Sequence, residues 1–393
     1  MSGTAESGVA ILVVDDSPFN RLLLGKRLAE LGYTRITTAT NGLEGLAAIE
    51  AGAFDVVLLD IEMPELDGIG VLERLHASGR REPPVIVISA LTEMSAIVRC
   101  IELGAEDYLP KSFDPPLLRA RLSAVLEKKR LRDLAAQRLQ LLEAELESAR
   151  LAQLALVPRD FAALEGHRLA LHAAMVPARQ VGGDLYDAMR LDDSTLLFTV
   201  ADVAGKGAPA GLTMARTLGL IRAAARLLTA RDGVPDPAEI LCLANDDLSH
   251  ENEEATFVTI ALGVLDMREG TGRIAVAAHE APLIYAAGQP PRPMPDLPRQ
   301  PPLGAMEGIS YRSQPFSLSP GQGLLLYSDG VTEAEDPAED FFGRARLLAE
   351  LEALTAREAR PRAVVEGVFD AVARFAGDAP QADDITALGL RFG

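Results

Sequence analysis

Tryptophan is absent from the 393 residues, cysteine occurs twice and histidine five times. Cys100 and Cys242 each lie inside a helical apolar pattern, which argues against a disulfide framework or a cysteine-based zinc site. Positive charge is scarce too. The 38 Lys and Arg are outnumbered by 57 Asp and Glu, for a formal net charge of −19. With no basic excess to neutralise phosphates, a nucleic-acid partner is not expected. No apolar run reaches the roughly 18–20 residues that span a bilayer. The opening MSGTAESGVAILVVDD lacks the basic region and cleavage site of a secretory signal. The expected setting is the cytoplasm, with no membrane partner.

Apolar residues make up 48% of the chain, enough for packed cores. The length implies two or three domains, and three segments differ in character: 8–125, 126–157 and 158–393. In the first, VAILVVDD, TRITTAT, FDVVLLD, PPVIVISA and AEDYLPK alternate with helical patterns. Near-continuous Val/Ile/Leu runs indicate strands buried on both faces, hence an α/β, doubly wound parallel sheet. Ligands of such sheets bind beyond the carboxyl ends of the strands, where Asp15, Asp16, Asp60, Ser89 and Lys111 fall.

The middle segment, LEKKRLRDLAAQRLQLLEAELESARLAQLALVP, has no Gly, and its one Pro comes last. Ala135, Leu139, Leu142, Leu146 and Ala149 follow a 4-3-4-3 spacing, a coiled-coil seam. Upstream, Leu131, Ala135 and Leu139 run 4-4, a stutter in the register. A helical linker that pairs two copies into a homodimer is expected.

The third segment carries strand patterns TLLFTVAD, TFVTIALGVLD, RIAVAAHEAPLIYAAG, GLLLYSDG and DITALGLRF, with helical stretches PAGLTMARTLGLIRAAARLL and PRAVVEGVFDAVARFA. Strands follow one another without crossovers, so an antiparallel, layered α+β (αββα) domain is expected. QPPRPMPDLPRQPPLG, 289–304, reads as a loop.

Two constellations carry chemistry. Asp15, Asp16 and Asp60 on adjacent strand ends are compatible only with a bound cation or a shared proton. Mg²⁺ suits such an oxygen-ligand set, and a carboxylate beside a metal and the Lys111 ammonium is a potential nucleophile. The second constellation begins at ADVAGKGAPAG. A phosphate-cradling loop needs G-x-x-x-x-G-K-[ST], but Val200 stands at the first glycine and Gly207 follows Lys206. Asp202 instead joins Asp184 of VGGDLYD, Asp329 of YSDG, and Asp383 and Asp384 of QADDIT. Several carboxylates without a His or Cys cluster indicate Mg²⁺ or Mn²⁺. Two such ions can clamp a phosphate without any side-chain nucleophile.

LVVDDS, LLDIEMPELDG, VISA and DYLPKSF resemble the response-regulator receiver family. That resemblance implies Asp60 as phospho-acceptor, and Asp15, Asp16 and the Glu62 carbonyl around Mg²⁺. It also implies Ser89 and Lys111 on the phosphoryl group and Tyr108 as the switch aromatic. Ser112 stands where the family usually has proline. The order QLALVP, PARQVGGDLYD, VADVAGKGAPAGLTMA, TFVTIALGVLD, LYSDGVTEA, ADDIT resembles the metal-dependent (PPM-type) Ser/Thr phosphatases, in the bacterial branch with the stage II sporulation phosphatase and stress-response regulators. This implies Asp202 bridging two Mn²⁺ or Mg²⁺ ions, with the Val203 carbonyl on one. Asp329 and Asp383 would ligate the other, Asp184 would hold a metal or its water, and the adjacent Asp384 is a further expected metal ligand. AAHEAPLIY resembles the family's Gly-His-x-Pro-Pro stretch with Ala278 and Ala281 in place of a glycine and a proline, and His279 is expected to be packed or capped and not catalytic. The implied partners are a sensor histidine kinase and a phosphorylated anti-sigma-factor antagonist. The alternative is an inactive phosphatase-fold adaptor under receiver control.

Overall fold

Residues 8–78, 83–89, 94–161, 168–179, 181–250, 252 and 255–393 are described by the structure, a computed structural model. Ala90 of the fourth strand pattern, Gln180 of the PARQVGGDLYD motif and residues 1–7 of the opening stretch lie outside the described residues. The chain divides into two compact units, 1–142 and 143–393.

In the first unit, strands β1 (Ala10–Val14), β2 (Arg35–Ala39), β3 (Val56–Asp60), β4 (Val85–Ser89) and β5 (Asp107–Pro110) form a parallel sheet ordered β2-β1-β3-β4-β5. Every residue of β1, β3 and β4 is buried, which explains their uninterrupted apolar runs. Alternation along β1 sends Ile11 and Val13 to one core and Leu12 and Val14 to the other. Helices α1 (Pro18–Glu30), α2 (Gly42–Ala51) and α3 (Gly68–Ala77) start at Ser17, Asn41 and Asp67, whose side chains accept backbone N–H groups of the first turn. Helix α4 (Met94–Glu102) precedes β5.

Helix α5 (Pro115–Leu154) has 40 residues, about 60 Å at 1.5 Å per residue. It starts earlier than the change in composition suggested. Leu118, Leu122 and Val125 are buried in the first unit's core. Residues 134–149 are all exposed in the single chain, including Leu139, Leu142 and Leu146 of the expected seam.

The second unit holds two antiparallel sheets. Its strands are β6 (Leu169–Val176), β7 (Leu185–Arg190), β8 (Thr195–Val203), β9 (Val258–Asp266), β10 (Thr271–Ala277), β11 (Leu283–Ala286), β12 (Gln289–Pro293), β13 (Gln314–Ser317), β14 (Gln322–Tyr327) and β15 (Ile385–Phe392), and one sheet is ordered β13-β10-β9-β8-β7. The other is ordered β12-β11-β14-β15-β6. Leu324, Leu326, Leu388 and Leu390 share a core with Phe198, Val200 and Ile260 of the first sheet. Leu325 and Tyr327, pointing the other way, pack with helices α9 (Gly343–Arg357) and α10 (Pro361–Ala376). Helices α6 (Ala208–Asp232) and α7 (Pro237–Ser249) contribute Met214, Leu218, Ile240 and Leu241 to the core they share with the first sheet. The layers run helix, sheet, sheet, helix. The short α8 (Asp329–Thr332) follows β14 directly.

Three strand readings change. RIAVAAHEAPLIYAAG is two strands in different sheets, β10 and β11, parted at Ala278 with φ 49°. The proline-rich segment is not all loop: its first five residues are β12, at a sheet edge, where the missing N–H of proline is tolerated. Strands β6, β7 and β13 carry too little Val and Ile to stand out, and pairing with β15, β8 and β10 defines them.

Gly263 lies directly across from Phe198 in the β8–β9 pair, and a Cβ there would stand 2.1 Å from the ring's Cζ. Gly263→Ala is expected to cost about 1–3 kcal/mol by overpacking, read as a lower midpoint for this unit in thermal melts followed by circular dichroism. An unchanged midpoint would show that the ring has room to move.

Candidate functional site

In the first unit the strand ends assemble one acidic cluster. Among the described residues, Asp15, Asp16 and Asp60 are the one group of three potential metal-ligating side chains whose ligand atoms lie within 4.8 Å of one another. Asp15 and Asp60 are buried and Asp16 is exposed. Asp15 Oδ1 accepts from Ser17 N at 2.9 Å and Asn20 Nδ2 at 3.3 Å, which orients it from the start of α1. Lys111 Nζ donates to Asp60 Oδ2 at 3.0 Å and lies 2.9 Å from Oδ1. The contact to Oδ1 lacks hydrogen-bond geometry, and that buried oxygen has no hydrogen-bond partner. Burial raises the pKa of Asp15 and of Asp60, against the lowering effect of their hydrogen bonds. Burial would lower Lys111, but the Asp60 bond and the nearby carboxylates raise it overall.

Ser89 ends β4 and is buried, with Lys111 N bonded to its carbonyl at 2.8 Å. Glu62 is exposed, two residues after Asp60. Tyr108 is half-buried in β5, and the Arg121 guanidinium stands 5.7 Å from its ring centre. Arg121 also pairs with Asp107 at 3.0 Å. No sequence pattern marked Arg121, because its meeting with Tyr108 depends on how α5 packs.

In the second unit, Asp184 precedes β7, Asp202 is in β8, Asp329 follows β14, and Asp383 and Asp384 precede β15. Pairing of β7 with β8 and of β14 with β15 brings each pair of termini together, and stacking of the sheets brings the two pairs within electrostatic reach. Burial first, then the charges of Asp329 and Asp383, push Asp202 up to about 7. Asp184 is raised well above the carboxylate range by burial and then by Asp202. Asp329 is raised by burial, then by Glu333 and Asp383, with Glu280 adding to it. No three of these carboxylates close to within 4.8 Å, unlike the first cluster.

The donors fit hard cations. Asp184 Oδ2 is buried without a hydrogen-bond partner, an arrangement that leaves a lone pair available inside an acidic site. The Val203 carbonyl approaches Gly183 so closely that a Cβ there would lie 2.7 Å from it, so only glycine fits beside that oxygen. Asp384 is committed differently. Its Oδ1 accepts from Ala178 N at 2.7 Å, and its Oδ2 from Gly183 N at 2.7 Å and Asp184 N at 3.3 Å. It anchors the loop that carries Asp184.

The Gly-Lys-Gly turn is formed by Gly205 at φ 111° and Gly207 at φ 78°, both in the left-handed region that favours glycine. Lys206 reaches across to Asp383 Oδ2 at 3.1 Å and to the Ala382 carbonyl at 2.7 Å. His279 Nδ1 pairs with Thr259 Oγ1 at 2.8 Å, and burial pushes the ring's pKa down to about 4. A neutral, engaged ring matches the expected packed histidine.

Two groups of residues escaped the sequence reading. Glu280 accepts from the Tyr327 hydroxyl at 3.2 Å and, with Glu333, adds charge near Asp329. Gln153, at the end of α5, is buried; its Nε2 donates to the Gly182 carbonyl at 2.6 Å and its Oε1 accepts from Gly182 N at 3.1 Å. It thus braces the segment two residues before Asp184. QLALVP contains this glutamine, but in a polar helix nothing distinguishes it from solvent-facing neighbours.

Against known proteins, the family model for Stage II sporulation protein E (SpoIIE) matches residues 192–393, more than half of the 393. The chain belongs to the SpoIIE family. A response regulator receiver domain model matches residues 11–123 of this SpoIIE-family chain. Protein IcfG of Synechocystis sp. (strain ATCC 27184 / PCC 6803 / Kazusa) is 28% identical over 271 residues, covering 63% of this chain and 41% of that protein. Response regulator MprA of Mycobacterium ulcerans (strain Agy99) is 39% identical over 125 residues, covering 32% of this chain and 53% of MprA. The solved SiaA-PP2C domain of Pseudomonas aeruginosa superposes with a TM-score of 0.54 at 28% identity, covering 66% of this chain and 99% of that one. The chain spans about half the length of the curated relatives it matches. A receiver domain is therefore joined to a SpoIIE-type, PP2C-like phosphatase domain.

The raised Asp202 pKa, about 7 against 3.8 in an open chain, has a defined sign. The metal-free folded state binds this proton more tightly than the unfolded state. Its contribution is full below about pH 4 and is lost as pH rises through about 7. Thermal melts of metal-free protein should show Asp202→Asn gaining on the native chain as pH rises from about 4 to about 7, the span between the open-chain and folded values. A gap independent of pH would mean that Asp202 is not the titrating group.

Proposed function

We propose that the chain is a response regulator whose output is metal-dependent removal of phosphate from phosphoserine or phosphothreonine on a protein. The buried Asp184 Oδ2, without a hydrogen-bond partner among carboxylates whose charges raise one another's pKa, is the observation that carries this reading. Asp184, Asp202, Asp329 and Asp383 hold two Mn²⁺ or Mg²⁺ ions with the Val203 carbonyl, and Asp384 lies within the same acidic group. Such ions supply Lewis-acid chemistry to a phosphate and to water. The chain's own part is to keep these oxygens desolvated and aimed, and a bound cation would favour their ionised form. Asp384 and Gln153 hold the Asp184 segment in place from two sides. Neutral His279, paired to Thr259, is left out of proton transfer.

In the receiver, Asp60 is the phospho-acceptor, supplied by a sensor histidine kinase. Asp15, Asp16 and the Glu62 carbonyl hold Mg²⁺ beside it, and Asp60 Oδ1, which accepts no hydrogen bond, suits that role. Lys111, already on Asp60, and Ser89 receive the phosphoryl oxygens, and Tyr108 responds to the change. The domains run 8–125, 126–157 and 158–393, the middle one forming a homodimer through the exposed Leu139, Leu142 and Leu146. The resemblance of the chain's sequence motifs to the stress-response branch of the phosphatases makes a phosphorylated anti-sigma-factor antagonist the substrate to try first.

Mn²⁺-dependent hydrolysis of a phosphoserine protein by the full chain is the test. Asp202→Ala should lower the rate by about 100-fold or more, beyond the effect of losing an outer-shell partner. A phosphoryl mimic on Asp60 should change the native rate and leave Asp60→Asn unaffected. No turnover, with no metal bound in titration calorimetry, would overturn the enzyme reading in favour of an adaptor.

For the linker, sedimentation should give twice the chain mass, and Leu142→Lys with Leu146→Lys should reduce it to one chain. A native monomer with and without the phosphoryl mimic would exclude the coiled coil.

A further inference from the structure

Beside the carboxylates the second unit has a cavity of about 330 Å³, at the lower end of the range for small-ligand sites. Phe369, Ala373 and Ala376 line it from α10, at a spacing that puts them on one helix face. The other apolar residues of α10, including Val364, Val365 and Val368, are already buried in the core. Ile385 adds to the wall, and Asp383 and Gly330 complete it on the side of the proposed metal site. Gly330 is the neighbour of Asp329, so the cavity adjoins two of the four carboxylates. The remaining charges on its wall, Glu335 and Asp370, are acidic, and none of the described lining residues is basic.

The geometry points to this cavity as a specificity subsite for an apolar side chain flanking the phosphorylated residue of a protein substrate; it rests on the phosphatase reading above. A phosphate held at the carboxylates fixes one residue of an extended peptide. Side chains one or two positions away then lie within about 3–7 Å along the strand, which is the reach to a wall that includes Asp383. The cavity is large enough for leucine or methionine. Its acidic wall, offset in part by Lys206 on Asp383, disfavours Asp or Glu at the same substrate position through like-charge repulsion.

The full chain with Mn²⁺ tests this on p-nitrophenyl phosphate and on phosphoserine peptides with one leucine at each of the two positions on either side, in an otherwise alanine background. One leucine position should raise kcat/KM about tenfold over the alanine parent, as expected for a side chain gaining an apolar pocket, and aspartate there should lower it. Ala373→Phe fills the cavity from an exposed helix position. It should abolish the leucine preference while leaving p-nitrophenyl phosphate turnover unchanged. Equal rates for all peptides with p-nitrophenyl phosphate hydrolysed would overturn the subsite alone. So would loss of both activities in Ala373→Phe, unless the more conservative Ala373→Leu restores p-nitrophenyl phosphate turnover without the leucine preference, which supports it. Native protein inactive on every substrate would overturn the phosphatase reading and the subsite with it.

Discussion

Carboxylates kept close to one another and out of water are the constraint on which both units turn. In each, sheet pairing delivers aspartates from separate strands to a shared end, and the surrounding core prevents their retreat into solvent. Burial raises the pKa of Asp15, Asp60, Asp184, Asp202 and Asp329 alike. Such an arrangement is costly without a counter-charge. The receiver answers part of the cost itself, through Lys111 on Asp60. In the second unit Lys206 reaches only the outer carboxylate, Asp383.

The supports around these groups are as informative as the groups themselves. Asp384 resembles its neighbour Asp383 in sequence, yet its oxygens are taken by three backbone amides. Gln153 approaches the same segment from the other side. Because α5 is continuous from Pro115 to Leu154, a helix that begins in the receiver core ends beside the residue that orients Asp184. Receiver control of the second site would need a two-state element that both sites bias, and this helix is the covalent path on which to look for one.

How much could be read in advance depended on the kind of signal. The parallel sheet was legible because β1, β3 and β4 are buried on both faces and so consist of unbroken Val/Ile/Leu runs. The strand-end aspartates were legible with it. Strand β6, LALHAAMV, was not: alanines and a histidine do not advertise a strand, and its place beside β15 supplies the pairing. Strand β12 was hidden by its prolines, which an edge position accommodates.

The sequence by itself determined the class of each domain, the aspartates at the strand ends and the polar helix between them, because periodicity and short motifs are local properties. Only the tertiary structure decided which member of Asp383–Asp384 faces the backbone, which glutamine braces the Asp184 segment, and where an apolar cavity opens beside the acidic group. Those depend on contacts between residues as far apart as Gly183 and Asp384. Such contacts are set by the stacking of two sheets, and no local pattern encodes them.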